Sequence, residues 1–145
     1  MREVKTSIFV PAAPEAVWSA FMDTRGWTAL HGGVLSDAEP ETPWCADSVH
    51  TVRVKPSPGA KATTLEACID ICEPGRLRWT TKVAGLGAAR RSFWVEPAEN
   101  GARFHNDEQV SGLVPELLLL FFPALLRRTL EGFNRGLRDR IIVAR

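Results

Sequence analysis

The C-terminal part of the chain, residues 114–145, carries apolar residues at the spacing of one helix face. Charged residues occupy most of the other side, as expected for a helix that packs on a protein and faces water. Proline inside a helix removes a hydrogen bond and clashes with the preceding turn, so we expect a kink or restart near Pro123. The apolar positions follow one another at steps of four, three, four and four: Leu126, Leu130, Phe133, Leu137 and Ile141.

Upstream of this helix the apolar residues recur at every second position, which is typical of strands with one buried face. A first strand is predicted from Ile8, Val10 and the alternating charged residues before them, and it ends at Pro11. Turn signals such as Pro74-Gly75 then divide the middle of the chain as in an antiparallel meander. The strands predicted there lie near 48–55, 62–72, 76–84, 88–97 and 102–112, with a weaker one near 34–39.

Two short helices are predicted between the first strand and the meander. Pro14 suits the first position of a helix, and Glu15 favours its positive end. Asp23 can cap a second helix over 24–30, which Gly32-Gly33 would end. The strand pattern places Leu65, Ala67, Ile69 and Ile71 on one face of the sheet, and Glu66, Cys68, Asp70 and Cys72 on the other. The long C-terminal helix is expected to cover the apolar face, which makes the fold α+β.

Composition limits the classes of function. The 145 residues suit one domain, 1–145, and a net charge of +1 does not favour nucleic acid as a partner. The first residues lack the apolar run of a secretory signal, so we expect a cytoplasmic protein with reduced cysteines. The apolar run 113–126 is shorter than the roughly 20 residues of a spanning helix and holds a glutamate and two prolines. No transmembrane segment is therefore predicted.

The order of these elements, with several short motifs, resembles that of a known superfamily. The motifs are residues 10–18 with Asp23 and Trp27 after them, then 73–79, 101–104 and 108–113. In these the chain resembles the START-like superfamily, also called SRPBCC or polyketide cyclase/dehydrase-like, over essentially its whole length. The resemblance implies a helix-grip fold, in which a curved antiparallel sheet of about six or seven strands wraps around the C-terminal helix. It also implies a mainly apolar cavity for a lipid, sterol, polyketide or similar molecule, without implying one chemistry.

Polar side chains on the apolar face are the informative positions in such a cavity, because burying them costs free energy unless they are paired. Strand alternation places His50, Arg91, Asn106 and Glu108 on that face. A four-residue loop between strands five and six would put Arg91 directly opposite Glu108, whereas a two-residue turn at Asn100-Gly101 would put Phe93 there. In either register Arg91 and Glu108 are neighbours, so they can anchor a ligand's polar head or neutralise each other.

The apolar lining and the remaining partners are predicted as follows. The absence of tyrosine favours an apolar small molecule as the ligand. No cofactor is expected. No metal site is expected either, because Cys68 and Cys72 would lie about 13 Å apart on one strand. Residues 117–122 suit a flap, a dimer contact, a transient membrane contact or a buried helix start, and a monomer and a homodimer stay open. The ligand-lining residues predicted besides the polar four are Trp18, Phe21, Trp27, Ile69, Trp79, Phe93, Phe104, Phe121, Leu125 and Phe133.

Three functions fit these features. The first is binding of a small hydrophobic molecule between the sheet and the C-terminal helix. The second is a polyketide cyclase or dehydratase with Glu108, Arg91 and His50 as catalytic groups, which requires the three side chains to converge. The third is a chaperone-associated interaction module that resembles the Hsp90-activator-like branch and would use an exposed cluster of Trp44 and Trp94.

Overall fold

The computed structural model of the chain describes residues 2–24, 27, 43–54, 63–83, 87–113 and 123–144. Strand β1 (Arg2–Val10) is followed by helix α1 (Pro14–Met22). The antiparallel strands and the C-terminal helix come next. Their bounds are β2 (Val49–Val54), β3 (Thr63–Glu73), β4 (Arg76–Val83), β5 (Gly87–Ala98), β6 (Gly101–Ser111) and α2 (Pro123–Val143).

The six strands form one curved antiparallel sheet in the order β1-β6-β5-β4-β3-β2. Strands β2 to β6 form a meander, and β1 returns to pair with the last strand. Helix α2 packs on β1 and β6, while α1 packs on β5, β6 and α2. This arrangement confirms the predicted α+β class and the helix-grip fold. Among the described residues, neither helix combines the length and hydropathy that crossing a bilayer requires.

Helix α1 begins at Pro14 behind the extended residue Ala13, as the sequence predicts. The described part of α2 begins at Pro123, and the kink or restart predicted near that residue involves positions outside the described residues. The predicted second short helix and the weak strand near 34–39 lie outside the described residues, apart from Thr24 and Trp27. Residues 114–122 also lie outside them.

The stripe on α2 is buried as its spacing predicts, from Leu130 through Phe133 and Leu137 to Ile141. Leu125, predicted to line the ligand site, is 39% exposed. It lies in the first turn of α2, ahead of Thr129, where the helix becomes buried against the sheet. Helical spacing alone does not show where along its axis a helix meets the sheet.

A β-bulge in β3 corrects the predicted faces of that strand. Ile69 pairs with Trp79, but Ile71 pairs with Arg78 and Cys72 with Leu77, so β3 holds one extra residue between these pairs. A bulge reverses the alternation beyond it. Cys72 therefore joins the inner face beside buried Leu77, whereas the simple alternation predicted Ile71 there.

The hairpin between β5 and β6 fixes the register that the sequence left open. Ala98 pairs with Gly101, so the turn is Glu99-Asn100, and Asn100 adopts a positive φ of 64°. This register places Arg91 directly opposite Glu108. The two-residue turn predicted at Asn100-Gly101 is wrong by one position. Only glycine fits at position 101, because a Cβ there would lie 2.3 Å from the carbonyl oxygen of Val10.

Candidate functional site

The inner face of the sheet has an aromatic region. The Phe21 ring lies 4.7 Å from Phe93 and 5.2 Å from Phe104, measured between centroids, and 6.2 Å from Phe133 on α2. Trp27 packs on the same group, 5.3 Å from Phe21, and its indole N–H donates to the Phe21 carbonyl. Trp79 extends the cluster, 5.1 Å from Phe93. The rings pack against one another, so most of this region is hydrophobic core.

Beside the aromatic region lies a closed circuit of buried hydrogen bonds. Arg91 Nε donates to Asn106 Oδ1 at 2.7 Å, and Asn106 Nδ2 donates to Asn134 Oδ1 at 2.9 Å. Asn134 Nδ2 donates to Thr6 Oγ1 at 2.9 Å, and the Thr6 hydroxyl donates to the Asn106 carbonyl at 2.5 Å. We call Thr6, Arg91, Asn106 and Asn134 the polar circuit.

The direction of the circuit follows from Arg91. A guanidinium has only donors, so Asn106 must turn its oxygen toward it and its nitrogen toward Asn134. Asn134 is then obliged to accept with its oxygen and donate to Thr6, whose hydroxyl donates to a carbonyl. One arginine thus sets the orientation of both amides. The four residues come from β1, β5, β6 and α2, so the circuit holds the helix to the sheet and fixes the arginine.

Nη2, the third nitrogen of the Arg91 guanidinium, has no hydrogen-bond acceptor among the described residues. Nη1 lies 3.4 Å from Glu108 Oε2, and the guanidinium carbon lies 5.2 Å from the centre of the Phe93 ring. Nη2 is buried and donates to none of the residues that the structure describes. The side chain is 5% exposed. A buried donor without an acceptor costs about 1–3 kcal/mol, so this atom is the clearest candidate for contact with a ligand.

Burial also shifts the pKa values of Arg91 and Glu108. Desolvation raises the pKa of the Glu108 carboxyl above its ordinary value of 4.5, and the positive charge of Arg91 offsets part of that effect. Desolvation likewise lowers the pKa of Arg91, against the charges of Glu108 and Asp107. The pair is neutral as a whole, so its surroundings disfavour the addition of a further unpaired charge.

Short side chains lie next to this pair on the inner face. Ala67, Thr81 and Ala89 stand side by side on β3, β4 and β5, and the neighbouring row along these strands carries Ile69, Trp79 and Arg91. Ala67 and Thr81 are buried. We call the three short residues the floor row, because they occupy less of the space above the sheet than their large neighbours do.

His50 lies at the far end of the same row, on β2. Its Nε2 is 2.9 Å from Ser48 Oγ, and its ring stacks on Trp44 at 4.2 Å with an angle of 13°. Desolvation lowers the pKa of His50, while a backbone hydrogen bond to Pro43 acts in the opposite direction. Two strands separate β2 from β5, so His50 lies roughly 14 Å along the sheet from the strand of Arg91. The three proposed catalytic side chains therefore do not converge.

The structure brings together most of the predicted site residues. Arg91, Asn106 and Glu108 are in direct contact, while His50 stands apart from them. Phe121 lies outside the described residues, and Leu125 is exposed. Trp18 is half-buried at the margin of the aromatic cluster, 5.2 Å from Phe21. The other predicted lining residues are buried: Phe21, Trp27, Ile69, Trp79, Phe93, Phe104 and Phe133.

Sequence reasoning missed two members of the polar circuit, Thr6 and Asn134. The sequence nevertheless contains a signal for each of these two residues. Asn134 lies four residues after Leu130 and three before Leu137, and therefore on the buried face of the helix. Thr6 has the same strand parity as Val4 and Val10. Each is a polar residue within an apolar pattern, the same feature that singled out Asn106.

The outer face of the sheet holds a second polar side-chain pair on the β5–β6 hairpin. His105 Nε2 lies 2.6 Å from Glu96 Oε1, and its ring stacks on Trp94 at 4.5 Å. An open cleft of about 420 Å³ borders this stack, with Lys5, Ser7 and Asp107 along it. Trp94 and Trp44 thus belong to opposite faces, and they do not form the exposed cluster that the interaction-module hypothesis requires. Within the described ranges, no three His, Cys, Asp or Glu side chains group as metal ligands would.

Comparison with known proteins assigns the chain to a family. The sequence profile of the family described as polyketide cyclase / dehydrase and lipid transport matches residues 1–141. The chain therefore belongs to this family, and the START-like resemblance seen in the sequence is confirmed. No match was found among curated protein sequences.

Solved structures agree on the fold. TTHA0849 from Thermus thermophilus is similar with a TM-score of 0.77 and 18% identity, over 99% of each chain. A START superfamily protein from Mycobacterium smegmatis gives 0.74 and 14% identity, also over 99% of each chain. Ara h 8.0201 gives 0.67 and 11% identity over 98% of each. At these identities the similarity extends to the fold and not to a particular ligand.

Proposed function

We propose that this protein binds one small, mainly apolar molecule between the sheet and the C-terminal helix. The molecule lies over the floor row, and an oxygen acceptor of its head accepts a hydrogen bond from Arg91 Nη2. The family and its START-like fold support ligand binding as the general activity. The observation that carries the specific proposal is the buried Nη2 donor, which lacks a partner among the described residues.

The chemistry of the pair favours a neutral head group. Arg91 is already charge-paired with Glu108, so a carboxylate would add an uncompensated charge to a buried site. A ketone, ester or hydroxyl oxygen accepts a hydrogen bond without that cost. Trp79 and Phe93, which are buried next to Arg91, supply apolar contact for the rest of the molecule.

Catalysis is less well supported than binding. The cyclase or dehydratase hypothesis needs Glu108, Arg91 and His50 around one substrate, but His50 interacts with Ser48 and Trp44 at a different part of the sheet. The interaction-module hypothesis needs tryptophans on one surface, and Trp44 and Trp94 lie on opposite faces. Binding requires only the groups that the structure brings together.

A neutral fluorescent ketone tests the proposal. The probe 6-propionyl-2-dimethylaminonaphthalene has an apolar ring system and one carbonyl, and its emission shifts to the blue on leaving water. We expect saturable binding to the wild type and about 10-fold or greater weakening in Arg91→Lys, because lysine keeps the charge but lacks the fork. Arg103→Lys, on the outer face of β6, is the matched control and should bind like the wild type.

The parent compound without the carbonyl, 2-dimethylaminonaphthalene, separates the polar contact from general apolar binding. Its affinity should be the same in the wild type and in Arg91→Lys. Equal weakening of both probes would contradict a hydrogen bond from Nη2, and absence of saturable binding by either probe would count against the site itself. Native mass spectrometry of protein purified from cells would identify a natural ligand.

A further inference from the structure

The bulge in β3 brings together two cysteines that the sequence does not pair. Because the alternation reverses beyond Ile69, Cys72 lies on the inner face next to Leu77, while Cys68 remains exposed. The Cys72 thiol donates to the carbonyl oxygen of Trp44 at 3.3 Å. Cys72 is therefore in contact with the segment that precedes β2, and Cys45 is the next residue of that segment.

The distance between the two cysteines is limited by covalent geometry. A carbonyl oxygen lies roughly 2.8 Å from the Cα of the following residue, so Cys72 Sγ is at most about 6 Å from the Cα of Cys45. The Cys72 sulfur is therefore near the backbone of Cys45. A disulfide further requires Cα atoms about 4.4–6.8 Å apart, and the oxidation experiment below tests whether the pair meets that requirement.

The segment that carries Cys45 is held against β3 by its own backbone. The amide of Asp47 donates to the carbonyl of Ile69 at 2.9 Å, and the amide of Ile69 donates to the carbonyl of Ser48 at 2.9 Å. The Ser48 hydroxyl donates to the Cys45 carbonyl at 2.5 Å. Asp47 completes this turn with a positive φ of 68°. These contacts hold the turn that follows Cys45 against Ile69, three residues before Cys72.

We propose that Cys45 and Cys72 form an oxidisable pair, a modification site at which a peroxide converts two thiols into a disulfide that ties the Trp44 segment to β3. Cys45 is exposed and so can meet the peroxide first, whereas Cys72 is half-buried. Burial and the neighbouring Cys45 raise the pKa of Cys72, which suits a resolving thiol that reacts because it is close.

The reaction balances in two steps. The thiolate of Cys45 attacks one peroxide oxygen, the O–O bond breaks, and a sulfenic acid and a hydroxide result. The hydroxide takes up the proton that the Cys45 thiol released on ionisation and becomes water. The Cys72 sulfur then attacks the sulfenic sulfur, the S–O bond breaks, and the hydroxide leaves as water with the thiol proton. Two thiols are oxidised to one disulfide while one hydrogen peroxide is reduced to two water molecules.

The disulfide would act on the surroundings of His50. Trp44 stacks on His50 and packs against Trp79 and Trp27, at centroid distances of 5.7 and 5.6 Å. In the reduced protein a single thiol-to-carbonyl hydrogen bond joins Cys72 to this segment. A covalent bond would replace this weak contact and keep Trp44 in place. The inference does not depend on the proposed ligand.

The test is oxidation of the folded protein with hydrogen peroxide, followed by a count of free thiols and mass mapping of peptides. The wild type should lose two of its three thiols and about 2 Da of mass, with the peptides of Cys45 and Cys72 linked, and a dithiol reductant should reverse both changes. Cys68→Ser is the matched control, since it removes the exposed cysteine of the same strand, and it should still form the link. Cys45→Ser and Cys72→Ser should each abolish it.

Three results would overturn the proposal. They are a disulfide that involves Cys68, a disulfide between two chains, and accumulation of sulfinic acid on Cys45 while Cys72 stays free. Oxidation after unfolding in urea provides a further check. If the unfolded protein forms the Cys45–Cys72 link as selectively as the folded protein, the folded geometry is not its cause.

Discussion

The two faces of the β5–β6 hairpin carry two polar side-chain pairs in contrasting surroundings. On the inner face, Arg91 and Glu108 are 5% and 17% exposed, and their nitrogen and oxygen are 3.4 Å apart. On the outer face, His105 and Glu96 are 18% and 54% exposed and only 2.6 Å apart. The outer pair has the shorter contact but contributes less to stability, because water screens it and can replace either partner. Burial, and not distance, decides which pair the fold depends on.

The two faces also differ in how their polar groups are connected to the rest of the fold. The outer pair stands alone beside Trp94, whereas the inner pair is joined through Asn106 to the polar circuit and so to helix α2. Buried networks are strong when complete and costly when one member is removed. The variants below test this contrast from the largest expected effect to the smallest.

Removal of Arg91 should have the largest effect. In Arg91→Ala the Glu108 carboxyl loses its partner and Asn106 loses the donor that orients it, so the free energy of unfolding should fall by about 3–5 kcal/mol. Urea unfolding followed by circular dichroism at neutral pH measures it. Arg103→Ala on the outer face should cost less than about 1 kcal/mol.

A double variant sharpens the result. Arg91→Met with Glu108→Leu replaces both charges by apolar groups, and it should recover most of the stability lost in Arg91→Ala. It should also bind the ketone probe no better than the parent compound without the carbonyl. Equal destabilisation by Arg91→Ala and Arg103→Ala would contradict the contrast between the faces.

Removal of Asn134 should have the next largest effect. In Asn134→Ala the Nδ2 of Asn106 and the hydroxyl of Thr6 each lose a partner, so we expect a loss of about 1–3 kcal/mol. Urea unfolding measures it, with Asn100→Gly in the exposed turn as the control, where a glycine accepts the positive φ readily. No loss in Asn134→Ala would mean that the circuit does not hold the helix to the sheet.

Glu108→Gln should change how stability depends on pH. Because burial raises the folded pKa of Glu108 above 4.5, the folded protein takes up a proton at a higher pH than the unfolded chain does. Stability from this group therefore increases as the pH falls from the folded pKa to about 4.5, and it is lost as the pH rises. Relative to Glu108→Gln, the wild type should gain stability on acidification through this window.

Unfolding of both proteins at several pH values between about 4.5 and 8 checks this expectation. Glu96→Gln on the outer face provides the control for other titrating groups. A wild type that loses stability relative to Glu108→Gln on acidification would show the opposite sign, that of a carboxyl whose pKa is lowered by folding.

The smallest effect is expected for the outer pair. Glu96→Gln removes the carboxylate beside His105 but leaves the stacking on Trp94, so the free energy of unfolding should change by about 0.2–1 kcal/mol. Thermal and urea unfolding measure it. A loss as large as that of Arg91→Ala would remove the distinction between the faces.

Most of the fold could be predicted from the sequence, because each strand and helix has its own periodic pattern. The burial of Phe93 and Leu137 follows from strand and helix spacing alone. The register of Arg91 and Glu108 could be narrowed to two alternatives, since both depend on a turn whose length the residues near Asn100 do not fix. The one-sided strand pattern predicted that the helix covers the sheet, and the resemblance to a known superfamily implied that the sheet wraps around the helix.

The rest depends on contacts that local patterns do not contain. The bulge in β3 shifts the faces of Ile71 and Cys72, and only the pairing with β4 reveals it. The exposure of Leu125 depends on where α2 meets the sheet. Thr6 and Asn134 lie on predictable faces, but only the folded chain shows that they complete one circuit with Asn106.

The most direct test of the ligand-binding account is nuclear magnetic resonance of the arginine side chains during titration with 6-propionyl-2-dimethylaminonaphthalene. Arg91 Nη2 should be the guanidinium nitrogen whose protons shift and exchange more slowly at saturation, while the resonances of Arg103 stay unchanged. Saturable binding of the ketone that leaves the Arg91 resonances unaltered would contradict the account, because the ligand would then lie elsewhere.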